Sequence, residues 1–336
     1  MQRDAPYAMH LWDASRIFRS PVPGESAMST VDHVRRFRHG IVSSFWHTPT
    51  LLLCLASFFW ALNPIVGRAI RDDLTPVTIG FWRWLIAAAC VLPFAWPHLR
   101  DDLPAIRRSW PFLGLLGFFG VGVFSLLVYS SLQLTTATNN LLLQSTMPIM
   151  TLVMPAVIFR ERVALLHFAC AGLSILGVAW FMTKGQLANL RLEALNTGDL
   201  LALAAVFLYA AYATSLRKAP QLHHLSLLVV LFAAGIVSLA IPYALHLLLE
   251  GPSALSLTSA SALVFIGIFP SLVSYALFNR AVALIGSMRA GIYMNLPAVF
   301  GVLMAVPLLG ERFEQYHVLG SLIIIASILL SRKVKK

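Results

Sequence analysis

Charge is what this chain most lacks. Asp, Glu, Lys and Arg make up only 12% of its 336 residues, against 58% hydrophobic, and the mean hydropathy is +0.78. A soluble chain of this length would divide into about two domains, but it could not cover its surface with so few charges. Acids are the scarcer sign, 14 against 25 Lys and Arg, a net charge of +11. That surplus makes no nucleic-acid surface, because the basic residues are scattered between apolar runs and form no patch. Cysteine is scarce as well. Cys54, Cys90 and Cys170 all lie in apolar runs; three buried thiols form neither a disulfide framework nor a Cys-x-x-Cys metal pair and read as small packing residues. No cofactor or metal is expected. Gly114, Gly117, Gly120 and Gly122 follow no strand, so they read as close helix packing and not as a dinucleotide loop. His223-His224 has no second ligand pair.

Polar stretches are missing too, once past residue 50. Residues 1–50 are polar and mixed in charge, without the apolar centre of a cleavable signal peptide. They read as a cytoplasmic arm, within which Met28 is an alternative start. Beyond it the intervals between apolar runs are too short for a soluble domain, so any chemistry belongs inside the bundle.

What is present is a series of long apolar runs. A helix rises about 1.5 Å per residue, so about 20 residues cross a hydrocarbon core of about 30 Å. Ten runs meet that length: 51–70, 77–97, 110–133, 138–158, 164–183, 198–216, 225–249, 259–280, 288–309 and 314–331. The expected fold is an all-α integral membrane protein of ten transmembrane helices. With the N-terminus cytoplasmic, 18 Lys and Arg fall on that side and 5 on the other, or 12 against 5 without the arm. The positive-inside rule then puts both termini in the cytoplasm, in a plasma membrane of the bacterial inner-membrane kind.

The two halves echo each other. Met147-Pro148, Arg160-Glu161-Arg162 and His167 are followed 149 or 150 residues later by Leu296-Pro297, Gly310-Glu311-Arg312 and His317. Five spans per copy is an odd number, so the second copy must enter the membrane upside down. Inverted repeats are a common plan for secondary transporters, with the solute site near the midplane between the halves.

These motifs resemble the drug/metabolite transporter superfamily in its ten-span EamA-like form. The likeness rests on Trp60-Ala61-Leu62-Asn63, Pro76, Phe81-Trp82-Arg83-Trp84, Pro148 and Glu161-Arg162 in the first half. In the second it rests on Gly198-Asp199, Tyr209, Tyr212, Pro297 and Gly310-Glu311-Arg312. It extends over about residues 50–332. It implies two EamA-like five-helix repeats, at 51–183 and 198–332, and transport of a small metabolite, often an amino acid or related compound, often outward. The second half has no arginine corresponding to Arg83.

Arg83 is the most informative single residue. A charge near a helix centre costs about 2.5–3.5 kcal/mol on insertion scales. It is read either as the partner of an anionic solute group or gate, or as an arginine that snorkels to the boundary. Uncharged polar groups inside spans should face the interior, where they line a cavity or join neighbouring helices. The candidate solute-binding set is therefore Trp60, Asn63, Arg83, Tyr129, Gln144, Tyr209, Tyr212, Tyr275 and Asn295. Such an aromatic and amide lining suits a solute with an apolar or aromatic body and one or two polar ends.

Asn63-Pro64 is expected to interrupt the first span. Asp199 is read as a helix cap, and Glu161 and Glu311 as partners of neighbouring arginines at span ends. No carboxylate is then left near the centre of a span, which points to a facilitator or to coupling without a central acid. The partners expected are a small-molecule solute and the lipid bilayer, with no nucleic acid. The competing reading, a membrane-embedded lipid-modifying enzyme, needs a buried acid, histidine or metal cluster, and the sequence offers none.

Overall fold

A computed structural model of the chain describes residues 46–160, 165–186, 196–253, 255–285, 293–294 and 296–331. Among them every regular element is helical. The helices are α1 (Pro49–Ala69), α2 (Pro76–Gly117), α3 (Phe124–Leu134), α4 (Ala137–Gln144), α5 (Met147–Phe159) and α6 (Leu165–Met182), then α7 (Thr197–Ser215), α8 (His224–Leu249), α9 (Leu257–Ile268), α10 (Ser274–Ile285), α11 (Leu296–Leu309) and α12 (Gln315–Ser331). Wide π-turns at Phe118–Val123 and Phe269–Val273 join α2 to α3 and α9 to α10. They occupy corresponding places in the two halves.

Helical backbone continues from Pro76 to Leu134, where a break was expected between 97 and 109. The chain nevertheless folds back. Trp84 Nε1 donates to Ser125 Oγ at 3.1 Å, although 41 residues of straight helix would hold them about 60 Å apart. The reversal falls in the stretch carrying Pro97 and Pro104, whose missing N–H groups and ring clashes loosen a helix.

By length and apolar composition five helical runs among the described residues can cross a bilayer, or six if bent α4–α5 counts as one. Their outer faces are apolar: on α8 alone Val237, Ile241, Leu245 and Leu248 point outward, each more than half exposed. Those positions share one helix face, and a surface of this kind belongs in lipid.

The halves interlock by matching contacts. The first helix of the first half, α1, packs on α10 and α11; the first helix of the second, α7, packs on α3 and α5. Helices holding equivalent places pair with each other, α2 with α8 and α6 with α12, and both pairs are antiparallel. At one end of α2–α8 His98 stacks on His223 at 3.6 Å, and at the other Phe81 stacks on Tyr243 at 4.5 Å. On α6–α12, Gly177 faces Gly320 and Ile324 while Gly185 faces Tyr316.

The expected glycine packing is found at three positions of four. A Cβ on Gly117, Gly120 or Gly122 would strike α8 or Tyr212 within 2.6 Å, whereas Gly114 meets nothing within 4 Å.

Candidate functional site

Prolines shape the centre of the molecule. A proline cannot hydrogen-bond the carbonyl four residues back, and its ring crowds that carbonyl. Pro148 faces Gln144 in this way, and α4 stops at Gln144. Pro297 stands at the start of α11 in the second half. Pro64 differs: α1 runs through it unbroken, so the expected interruption is only the loss of one bond, at the Trp60 carbonyl. Pro270 orphans the carbonyl of Ile266. Ser271 Oγ satisfies that carbonyl at 2.9 Å and accepts a bond from Arg83 Nε at 2.7 Å. A local defect in α9 thus becomes a docking point for Arg83, the one buried arginine among the described residues.

Arg83 is 6% exposed, so it does not snorkel to the boundary. Its Nη1 donates to the Tyr129 hydroxyl at 3.0 Å, and that hydroxyl donates to Asn63 Oδ1 at 2.9 Å. The guanidinium carbon lies 4.5 Å from the centre of the Trp84 ring, a cation–π contact. Trp60 Nε1 donates to the Pro270 carbonyl at 3.1 Å, tying α1 to the same π-turn.

These groups border a cavity of about 130 Å³. Trp60, Asn63, Arg83, Gln144, Tyr209 and Tyr275 all line it, six of the nine residues expected from the sequence. Tyr129 lies behind it, holding Arg83 and Asn63. Tyr212 is set back against Gly120, with its ring 5.8 Å from Tyr209. Asn295 lies outside the described residues. The Trp60 and Tyr275 rings meet edge to face at 5.7 Å, and the Phe124 and Tyr209 rings are tilted with centroids 5.3 Å apart. The segments around Pro148 and Pro297 face the cavity from opposite halves, Ser145, Met147 and Pro148 from one and Met294, Pro297 and Ala298 from the other. Of these, Ser145, Met294 and Ala298 carried no signal in the sequence, and Met147 entered only as part of the repeated Met147-Pro148 motif. Ser271 could have been found from its place beside Pro270.

At one end, polar contacts join the halves. Glu311 is no partner of Arg312; its carboxylate accepts the backbone N–H groups of Ala137 at 2.7 Å and Thr138 at 2.9 Å. With Thr136 Oγ1 taking the N–H of Asn139, the first turn of α4 is capped across the half boundary. Glu161 lies outside the described residues. Asp199 is not the cap of α7 either, since Asn196 takes that role by accepting from Gly198 N at 2.7 Å. Asp199 is 3% exposed and accepts from Thr135 Oγ1 and Asn139 Nδ2. Gly198 permits the approach, because a Cβ there would lie 2.8 Å from the Thr135 nitrogen. His317 Nε2 meets Asn139 Oδ1 at 3.2 Å.

A lipid-facing exterior around a small, mostly apolar cavity with a few polar groups, shared by two matching halves, defines a multi-pass membrane transporter. The chain belongs to the EamA-like transporter family, whose model matches it twice, at residues 48–183 and 196–332, within the drug/metabolite transporter superfamily. It is 27% identical to an uncharacterized transporter of Archaeoglobus fulgidus, over 84% of this chain and 96% of that one. It is 23% identical to the uncharacterized transporter YyaM of Bacillus subtilis, over 77% and 85%. A crystal structure of a protein 18% identical in sequence shares the fold with a TM-score of 0.55, covering 86% of this chain and 99% of that one.

Proposed function

We propose that the protein carries a small metabolite, an amino acid or related compound, outward across a bacterial inner membrane. It does so by alternating access, as ten spans in two inverted five-helix repeats with both termini cytoplasmic. The observation that carries this reading is the cavity between the halves, lined from both by the corresponding prolines Pro148 and Pro297. Antiparallel pairing of α2 with α8 and of α6 with α12 supports inversion, since equivalent helices of parallel repeats would run the same way.

In this reading Trp60, Asn63, Arg83, Gln144, Tyr209, Tyr275 and Asn295 hold the solute, with Tyr129 positioning Arg83 and Tyr212 positioning Tyr209. Glu311, Asp199 and His317 latch the non-cytoplasmic end in this conformation. Asp199 sits in the first turn of its helix and does not line the cavity; with no acid at the centre among the described residues, the carrier is a facilitator or is coupled without a central carboxylate. The protein is not an enzyme: the solute leaves as it entered.

Counter-flow of labelled metabolites in proteoliposomes tests the proposal, with and without an imposed proton gradient. Saturable exchange of unaltered solute at nearly unchanged initial rates is expected. A chemically altered product would overturn the carrier, and rates abolished by collapsing the gradient would overturn facilitation.

A further inference from the structure

Arg83 is a buried charge without a counter-charge. Its Nε and Nη1 are given to two neutral hydroxyls, those of Ser271 and Tyr129. Among the described residues no hydrogen bond is accepted from Nη2, and no carboxylate stands within 4 Å of the guanidinium. The faces of Trp84 and Tyr129 spread the charge but do not cancel it. Burying a cation in this way is strongly unfavourable unless an anion joins it, and Arg83 is one of the residues that line the cavity.

The rest of the lining is neutral. It consists of aromatic and aliphatic side chains, two amides and one serine, with no Asp or Glu. A cationic solute would therefore meet a like charge and find no acid. A zwitterion would satisfy Arg83 but bring an ammonium group that no carboxylate receives. A molecule with one carboxylate and no amine satisfies both constraints. Its body is limited by the walls: the cavity of about 130 Å³ is well below the roughly 300 Å³ where drug-sized sites begin. The rings of Trp60, Phe124, Tyr209 and Tyr275 enclose an aromatic or apolar group.

We propose that the preferred solute is a small monoanionic carboxylate on an aromatic or apolar body, with Arg83 as its carboxylate anchor. Among compounds related to amino acids this selects those that lack the amino group, such as 2-hydroxy or 2-oxo acids. Arg83 binds such a group through its unengaged edge, a charge-assisted contact, while Ser271 and Tyr129 keep the fork oriented. The inference deepens the carrier reading and rests on the same cavity.

The test uses three probes with one phenylethyl body, phenyllactate, phenylalanine and phenethylamine, of net charge minus one, zero and plus one. Binding to the purified full-length protein in detergent is measured by equilibrium dialysis at pH 7.5. Phenyllactate should bind at least about ten-fold more tightly than phenylalanine, and phenethylamine not measurably, the difference of one buried charge contact. Arg83→Gln should remove at least about ten-fold of the phenyllactate affinity, and Arg83→Lys should recover part of it. The ranking on the native protein stands without either variant should they fold poorly. Phenethylamine binding as tightly as phenyllactate, phenylalanine binding more tightly than phenyllactate, no binding of any probe, or an unchanged phenyllactate affinity in folded Arg83→Gln would each overturn the proposal. Counter-flow of the same probes separates the two readings. Phenyllactate bound but not exchanged removes the carrier and keeps the anchor; phenethylamine exchanged keeps the carrier and removes the anchor.

Discussion

At the scale of single residues, the centre depends on hydroxyl groups that serve two partners at once. Tyr129 accepts from Arg83 and donates to Asn63; Ser271 accepts from Arg83 and donates to Ile266. Removing such a hydroxyl strands a buried donor and a buried acceptor together. Tyr129→Phe keeps the ring and should lower stability by about 1–3 kcal/mol, read as a fall in melting temperature in detergent. An unchanged melting temperature would mean that water replaces the hydroxyl. Gly117 tests packing instead. A Cβ there would lie 2.6 Å from the carbonyl oxygen of Leu231, which is backbone and cannot rotate away. Gly117→Ala should therefore cost about 1–3 kcal/mol by overpacking, checked in the same assay.

Among elements, the two ends of the bundle hold together differently. At the end of α4, Glu311 replaces the missing intrahelical partners of two N–H groups and places a negative charge at a helix N-terminus. Glu311→Gln retains the shape but loses the charge-assisted bond, worth about 1–2 kcal/mol. A cysteine placed at Thr136 should then react faster with a membrane-impermeant maleimide than in the parent; equal rates would show that Glu311 is no latch. At the other end α2 meets α8 through the stacked rings of His98 and His223, and Asp102 accepts the backbone N–H of His223 at 2.9 Å. Burial lowers the His223 pKa, and the charge of His98 lowers it further, while Asp102 opposes both. The folded protein thus prefers His223 neutral. Its contribution to stability is complete above the unfolded value of about 6.5 and is lost as pH falls below it. The melting temperature should fall between pH 7.5 and 5.0, and His223→Gln should flatten that part of the profile.

For the whole molecule, the proposed cycle requires the Glu311 end to open. Thr136 and Arg312 adjoin the contact between Ala137 and Glu311, one in each half. Cysteines at both positions, joined by a reducible bifunctional reagent, should arrest counter-flow, and reduction should restore it. Full exchange in the cross-linked protein would show that this end does not separate during transport, and alternating access would have to be abandoned.

The sequence by itself determined the medium and the order of the helices. Both follow from apolar length and from the spacing of charged breaks, which are local properties. It also pointed to Arg83, because a charge in an apolar run stands out without any coordinates. Helix starts at 76, 197, 224 and 315 fall within two residues of the expected ones. Tertiary structure decided what each polar group touches. Asp199 and Glu311 look like local caps or local ion partners in the linear chain, yet their oxygens meet Thr135 and Ala137, more than 60 and more than 170 residues away. Ser271 is one of many serines until Pro270 turns it toward Arg83. Tyr129 and Tyr212 look like cavity residues by type, but only the packing of α3 and α7 set them behind the wall. A linear pattern specifies which side chains must avoid lipid; only the folded bundle specifies which of them meet, because those meetings join helices far apart in the chain, many of them from opposite halves.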